Sequence, residues 1–174
     1  MSSFTKPLVV EVLKSGRDFK LRELFYYSVR DLDSGIVVEV PVGYVTDFAS
    51  IPRFLWSLLP PIGKYGKAAV VHDFLCTHQN LWISQDALIR HAVALGLDYE
   101  NLEGGIYYVT RKQADQIFLE AMAVLGVPKW KRLTMYGAVR LYAKFNGLDK
   151  DRDRRTDERV AQILNNVLDG ELVA

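Results

Sequence analysis

The side chains best suited to catalysis are a His-Asp doublet in an otherwise apolar stretch. His72 and Asp73 fall within residues 68–76, which read AAVVHDFLC. Burying polar groups costs desolvation free energy unless other groups compensate it, so the doublet indicates a site. Asp115, the one acid in the inward-leaning part of a later helix, is the expected partner. Its carboxylate would hold one ring nitrogen of His72 and leave the other as a general base. This predicts a catalytic set of His72, Asp73 and Asp115.

A second polar stretch, residues 41–53, reads PVGYVTDFASIPR. Asp47 is suited to complete a metal site with the doublet, since divalent ions bind carboxylate and imidazole. The alternative is that Asp47 orders its own loop as an Asx turn. Ser50 is suited to be a nucleophile near the histidine or, more simply, the N-cap of the next helix. Arg53 is suited to bind an anion or to form a structural salt bridge.

The elements that must position these residues predict an α+β fold. We expect a small N-terminal antiparallel β-meander packed beside a bundle of about four helices, with a detached C-terminal helix. Strand-like runs rich in β-branched and aromatic residues, separated by turn signals, occupy residues 8–13, 19–29 and 36–40. Apolar spacing and capping residues predict helices over residues 51–59, 67–76, 85–95, 110–125, 128–145 and 160–168.

The chain is expected to contain one domain and a tail. Residues 1–147 form the domain, in which residues 77–109 are interpreted as an insertion between two core helices. Residues 149–157 alternate in charge and hold no apolar residue, which is typical of a solvated linker. The tail, residues 148–174, is thus a charged linker with a short amphipathic helix. That helix is expected to bury little against its own chain and to dock on a neighbour.

Composition excludes several classes of protein. The chain of 174 residues is 49% hydrophobic and 25% charged, which is ordinary for a globular domain. A net charge of +1 provides no field that attracts nucleic acid, and the basic residues form no continuous patch. One cysteine, Cys76, excludes an internal disulfide and is expected to be a small core residue. No apolar run approaches the ~20 residues of a membrane span, and no export signal is visible, so synthesis and folding in a cytosol are expected.

The doublet helix also resembles a known catalytic helix pair. AAVVHDFLC, followed by RKQADQIF at residues 111–118, is similar to the two active-site helices of secreted and viral phospholipases A2. That resemblance implies His72 as the base that activates water, Asp73 as a calcium ligand and Asp115 as the carboxylate that orients His72. It also implies a divalent cation such as calcium as cofactor. The loop at the calcium-loop position, IGKYG at residues 62–66, contains a lysine, which calcium ligation disfavours.

A broader resemblance covers most of residues 35–145. VPVGYVTDFASIPR, AAVVHDFL, ADQIFLEAM and MYGAVR are similar, in this order, to a family of unknown function encoded by phages and prophages. The resemblance implies a bacteriophage origin, with synthesis in the host cytoplasm and incorporation in the virion.

Two functions follow from these observations. The first is a His-Asp hydrolase, phospholipase A2-like or directed at peptidoglycan, that cleaves an ester or amide of the host envelope. The second is a structural or adaptor subunit of the phage particle, in which His72, Asp73 and Asp115 form a polar network that stabilises the fold. In the second case residues 151–174 are expected to contact other phage structural proteins.

Overall fold

The computed structural model describes residues 3–48, 65–148 and 157–169, and the predicted α+β class is confirmed within them. The strands are β1 (Val10–Val12), β2 (Phe19–Leu21), β3 (Phe25–Ser28), β4 (Ile36–Val40), β5 (Val45–Thr46), β6 (Asn80–Ile83) and β7 (Gly105–Tyr108). The helices are α1 (Gly66–His78), α2 (Gln85–Leu95), α3 (Arg111–Val124), α4 (Lys129–Phe145) and α5 (Glu158–Asp169). None of these helices is long and apolar enough to cross a membrane.

The main sheet is antiparallel and has the strand order β3-β4-β6-β7. Because side chains alternate between the faces of a strand, one face of the sheet is apolar and joins the core. Tyr27 and Val38 are opposite each other in the register of β3 and β4, and both are fully buried. This buried face supports α1 and thereby positions the His-Asp doublet.

The predicted strand over residues 19–29 is in fact two strands in different sheets. β2 pairs with β1 and β5 in a three-stranded sheet, whereas β3 begins the main sheet. The backbone of Leu21 bonds to the turn after β4: its N–H donates to Tyr44, and its carbonyl accepts from Gly43 at 2.8 Å. Gly43 has a φ of 87°, which glycine adopts without strain. High β propensity across the whole stretch does not reveal where the chain changes sheets.

Residues 77–109 are built into the main sheet, so their interpretation as an insertion between core helices is incomplete. β6 pairs with β4 on one side and with β7 on the other. α2 between them begins and ends as predicted, with Ser84 as N-cap and Gly96 as C-cap. β6 was missed because four residues between a helix end and a helix cap give too short a pattern to recognise.

α3 is the central helix of the fold. Ten consecutive residues, from Gln113 to Met122, are buried, and α1, α4 and α5 all pack against it. The predicted capping box is present: Thr110 Oγ1 accepts from the N–H of Gln113 at 3.2 Å, and Gln113 Oε1 accepts from the N–H of Thr110 at 2.9 Å. These bonds fix the first turn of the helix that carries Asp115.

Thr110→Ala is expected to lower the free energy of unfolding by about 1 kcal/mol, because the first turn of α3 loses its side-chain acceptor. Urea denaturation measures the change. Thr110→Ser keeps the hydroxyl and is the matched control, for which we expect less than half of that loss. Equal losses in the two variants would show that packing of the Thr110 methyl group matters more than the cap.

α5 is a separate element at the end of the chain, yet it packs on α2 and α3. Its bonds to the rest of the fold include Gln113 to Asn165 and Gln116 to Asp169, both at 2.9 Å. Its apolar face is buried at Val160, Ile163, Leu164, Val167 and Leu168. The expectation that this helix buries little against its own chain is therefore wrong. Docking of residues 151–174 on another protein stays a prediction, and α5 would have to use its outward, polar face.

Candidate functional site

Close packing of α1 on α3 brings His72 and Asp115 together. Ala69, three residues before His72, and Ala114, next to Asp115, are fully buried, and such small side chains permit a close approach of helices. The Nε2 atom of His72 lies 2.6 Å from Oδ1 of Asp115. The imidazole also stacks on the Phe118 ring at a centroid distance of 4.6 Å. Both the histidine and aspartate side chains are 0% exposed, so the pair is sealed from solvent.

Two arginines complete the surroundings of this carboxylate. Arg140, from α4, donates through Nη1 to Oδ2 of Asp115 at 3.0 Å. Arg111, one turn before Asp115 on α3, places Nε 3.6 Å from Oδ1. We refer to His72, Asp115, Arg140 and Arg111 as the Asp115 cluster. It joins α1, α3 and α4 through a single buried carboxylate.

The protonation states of the pair follow from its surroundings. Burial alone would lower the pKa of His72, but the Cys76 side chain and the hydrogen bond with Asp115 outweigh burial and raise it to about 9. Burial would raise the pKa of Asp115, but the hydrogen bond and charge of His72, the hydrogen bond from Arg140 and the charge of Arg111 hold it below its usual value. Both shifts favour the charged form of the pair, an imidazolium and a carboxylate, in which Nε2–H donates to Oδ1.

Cys76 belongs to the same contact, although the sequence suggested only a core residue. Its Sγ lies 3.4 Å from Nε2 of His72, the nitrogen that Asp115 already holds. A nucleophile–His–Asp relay needs the nucleophile and the acid on opposite ring nitrogens. The other nitrogen, Nδ1, is buried and has no hydrogen-bond partner within the described part of the chain. The geometry is therefore not that of a thiol relay.

Asp73 faces a different group of side chains. It is half-buried, and the Thr46 and Tyr44 side chains hydrogen-bond to it. Burial and the nearby charge of Asp47 nevertheless raise the pKa of Asp73 above its usual value. Burial, and then the charge of Asp73, likewise raise the pKa of Tyr44. The sequence placed Asp73 in one catalytic set with His72 and Asp115, whereas the structure divides these residues between two neighbouring groups.

Asp47 is exposed and follows β5. The alternative offered for it, an Asx turn, would involve the backbone beyond Phe48, which lies outside the described residues, so it stays a prediction. The N–H of Phe48 donates to the Thr46 hydroxyl at 3.1 Å, so the threonine orders this part of the loop. Ser50 and Arg53, the other two candidates, lie outside the described residues, as does the helix predicted over residues 51–59.

The Asp115 cluster does not fit a metal. His72, Cys76 and Asp115 place one ligand atom each within 4.8 Å of one another. Two ligands of a tetrahedral zinc ion lie roughly 3.3 Å apart, given Zn–N and Zn–O bonds of about 2.0–2.1 Å. The 2.6 Å between Nε2 and Oδ1 is instead a hydrogen-bond distance. Two adjacent guanidinium groups further disfavour a cation.

The calcium site implied for Asp73 is incomplete among the described residues. Calcium takes six to eight oxygen ligands. Asp73 and Asp47 are close enough for their charges to interact, which a divalent cation would relieve. However, the only group of three potential ligand side chains found in residues 3–48, 65–148 and 157–169 is that of His72, Cys76 and Asp115. These residues alone do not build a calcium site.

Sequence reasoning missed both arginines of the cluster. Arg111 precedes Asp115 by four residues, and this spacing alone indicates an ion pair on a helix. Arg140 gave a weaker signal: it follows Val139, a buried position of α4, and thus lies at the edge of the core-facing side. A contact between helices that distant in sequence cannot be read from either helix alone.

Comparison with known protein families shows where the chain belongs. The chain is a member of the family described as "Protein of unknown function (DUF1353)", which matches residues 19–139. The matched region includes His72, Asp115 and Arg111 and ends one residue before Arg140.

A curated relative is an uncharacterised protein, y4jT, from Sinorhizobium fredii (strain NBRC 101917 / NGR234). It is 30% identical over 114 residues, which are 64% of this chain and 26% of that protein. The match thus spans about a quarter of the relative's length. No solved structure matches the chain.

Proposed function

We propose that this protein is a structural or adaptor subunit of a bacteriophage particle, and that the Asp115 cluster stabilises its helix packing without catalysing a reaction. The observation that carries this proposal is the sealed ion pair. His72 and Asp115 have no exposed side-chain surface and lie 2.6 Å apart. A catalytic base has to reach its substrate, and this one is separated from solvent.

The other buried polar residues of α3 support the same interpretation. Gln113 and Gln116 bind α5, and Glu120 accepts from the Tyr27 hydroxyl of β3 at 2.8 Å. Asp115 binds α1 and α4 in the same manner. The central helix is thus joined to its neighbours by four polar side chains of similar role. Buried polar groups that find partners on neighbouring elements in this way favour one packing arrangement.

The protonation state argues against a general base. A base works best when its pKa lies near the operating pH, so that the neutral form is available. The pKa of His72, at about 9, keeps the ring protonated at pH 7. An imidazolium whose Nε2–H is held by a carboxylate has no lone pair to accept a proton from water.

The phage assignment rests on the sequence resemblance alone. It predicts that particles from an induced lysogen or a lytic infection contain this chain at a fixed ratio to a major structural protein. Mass spectrometry of gradient-purified virions measures that ratio. Presence in the infected-cell lysate but absence from purified particles would contradict a role in the virion.

A hydrolase remains the second candidate because of one observation. Nδ1 of His72 has no hydrogen-bond partner among the described groups, while Asp115 holds Nε2. This is the pairing by which a carboxylate orients an imidazole for general-base catalysis. The target would be an ester or amide of the host envelope, and a base role would require an opening that admits substrate to Nδ1.

His72→Gln is expected to leave any hydrolysis of phospholipid vesicles or purified peptidoglycan by this protein unchanged. Glutamine retains an N–H donor toward Asp115 but cannot act as a base. Circular dichroism checks folding, and His91→Gln on α2 is the matched control. A loss of about 100-fold or more with normal folding would reveal the contribution of a general base and establish the hydrolase instead.

A further inference from the structure

An apolar stripe runs along the outward face of α4. The opposite face of the helix, with Met135, Val139 and Ala143, is buried in the core. The large side chains of the stripe are between 43% and 82% exposed, and with Gly137 between them they follow at intervals of three or four residues: Trp130, Leu133, Leu141, Phe145 and, just beyond the end of α4, Leu148. A surface helix in a monomer normally presents polar residues at these positions.

The stripe is large enough to be an interface. From the size of these side chains and their exposed fractions, its apolar area is on the order of 600 Å². The largest apolar patch on a typical monomer is about 300–600 Å², and a standard interface buries about 800 Å² per partner. The stripe, with the polar residues at its rim, therefore matches one half of a standard interface.

Gly137 lies in the middle of the stripe. Glycine destabilises a helix interior relative to alanine, so this position requires a reason. The fold offers none, because a Cβ built at Gly137 meets nothing within 4 Å. The absent side chain at Gly137 leaves a notch on the exposed helix face, and such a notch permits close approach by another chain.

The spacing of the stripe is self-complementary. In two antiparallel copies of α4 centred on residue 139, Trp130 faces Leu148 and Leu133 faces Phe145 of the other copy. Leu141 then faces the notch at Gly137, and the same contacts repeat across the two-fold axis, as an isologous interface requires. We propose that α4 pairs in this way with α4 of a second copy to form a homodimer.

Charge is compatible with this register. α4 contains five basic residues and no acidic one, so a different alignment could place like charges together. About residue 139, Lys144 faces Thr134, and Lys131 faces Gly147. The dimer does not depend on the role of His72. Three of the five large side chains of the stripe lie beyond the part matched by the family.

The test is the mass in solution, measured by light scattering after size-exclusion chromatography at about 100 µM, above the micromolar constants of weak interfaces of this size. We expect twice the chain mass of 19.8 kDa for the wild type. Gly137→Leu fills the notch with a residue that favours helix formation. The double variant Leu141→Glu with Phe145→Glu adds charge to the stripe. Both variants are expected to be monomers with unchanged circular dichroism. Val93→Glu, at an exposed apolar position of α2, is the matched control and should remain a dimer.

Three results would overturn the proposal. The first is a wild-type monomer at this concentration. The second is a Gly137→Leu variant that dimerises as well as the wild type, because the notch would then have no role. The third is a monomer that co-sediments with phosphatidylglycerol vesicles through the stripe, since a basic amphipathic helix also suits an anionic membrane surface.

Discussion

Asp115→Ala is expected to lower the free energy of unfolding by about 3–5 kcal/mol, the usual cost of removing one partner from a buried ion pair. The variant leaves the His72 imidazolium in the core without its carboxylate, which lies 2.6 Å away in the wild type. It also removes one acceptor of Arg140. Urea denaturation followed by circular dichroism measures the change.

Two further variants make this experiment specific. Lys112→Ala, at an exposed position of the same helix, should change the free energy of unfolding by less than about 0.5 kcal/mol. The double variant His72→Leu with Asp115→Leu replaces the fully buried pair by apolar groups. It should recover part of the stability, because the buried imidazolium is removed and only the partly exposed Arg140 and Arg111 lose this acceptor. If Asp115→Ala lowers the free energy of unfolding by less than about 1 kcal/mol, as for an exposed ion pair, the cluster does not stabilise the helix packing as proposed.

The second large effect is a loss of stability at alkaline pH. The pKa of His72 is raised from 6.5 to about 9 in the folded state, so folding favours the bound proton. The stabilisation is fully present below pH 6.5 and is lost as the pH rises through about 9. Because a tenfold change in proton affinity corresponds to about 1.4 kcal/mol, the stabilisation is on the order of 3 kcal/mol. Thermal unfolding measured between pH 6 and pH 10 follows the loss of this stabilisation.

At acid pH, stability changes with pH in the opposite direction. The pKa of Asp115 is lowered, so its contribution is present above its ordinary value of 3.8 and is lost as the pH falls through the folded-state value. Both trends report the same His72–Asp115 contact and are not additive. His72→Gln should remove the alkaline decline while leaving other transitions in place. An equally steep decline in that variant would assign it to a different group.

Much of the helical architecture could be predicted because its signals are local. Ser84 and Gly96 mark both ends of α2, and the capping box at Thr110 marks the start of α3. The pairing of His72 with Asp115 was accessible for a related reason. Each residue is an isolated polar group on an apolar helix face, and desolvation requires such a group to find a partner.

The features that could not be predicted from the sequence depend on contacts between distant segments. Nothing local shows that residues 19–21 and 25–28 join different sheets, or that β6 inserts beside β4. Arg140 reaches Asp115 only because α4 packs against α3. The separation of Asp73 from the cluster likewise depends on where β5 places Thr46 and where the turn before β5 places Tyr44. Helix periodicity could show that His72 and Asp73 point apart, but not what each would meet.

The most direct test of the structural role is the titration of the His72 ring, followed by NMR of the imidazole ¹³C and ¹⁵N resonances. The His72→Gln variant assigns the signal, and His91, whose pKa burial lowers from 6.5, is an internal reference. If the Asp115 cluster has this structural role, His72 stays an imidazolium past neutral pH and titrates at about 9, well after His91. A His72 ring that titrates below 6.5, and is therefore neutral at pH 7, would contradict the structural role and support His72 as a general base.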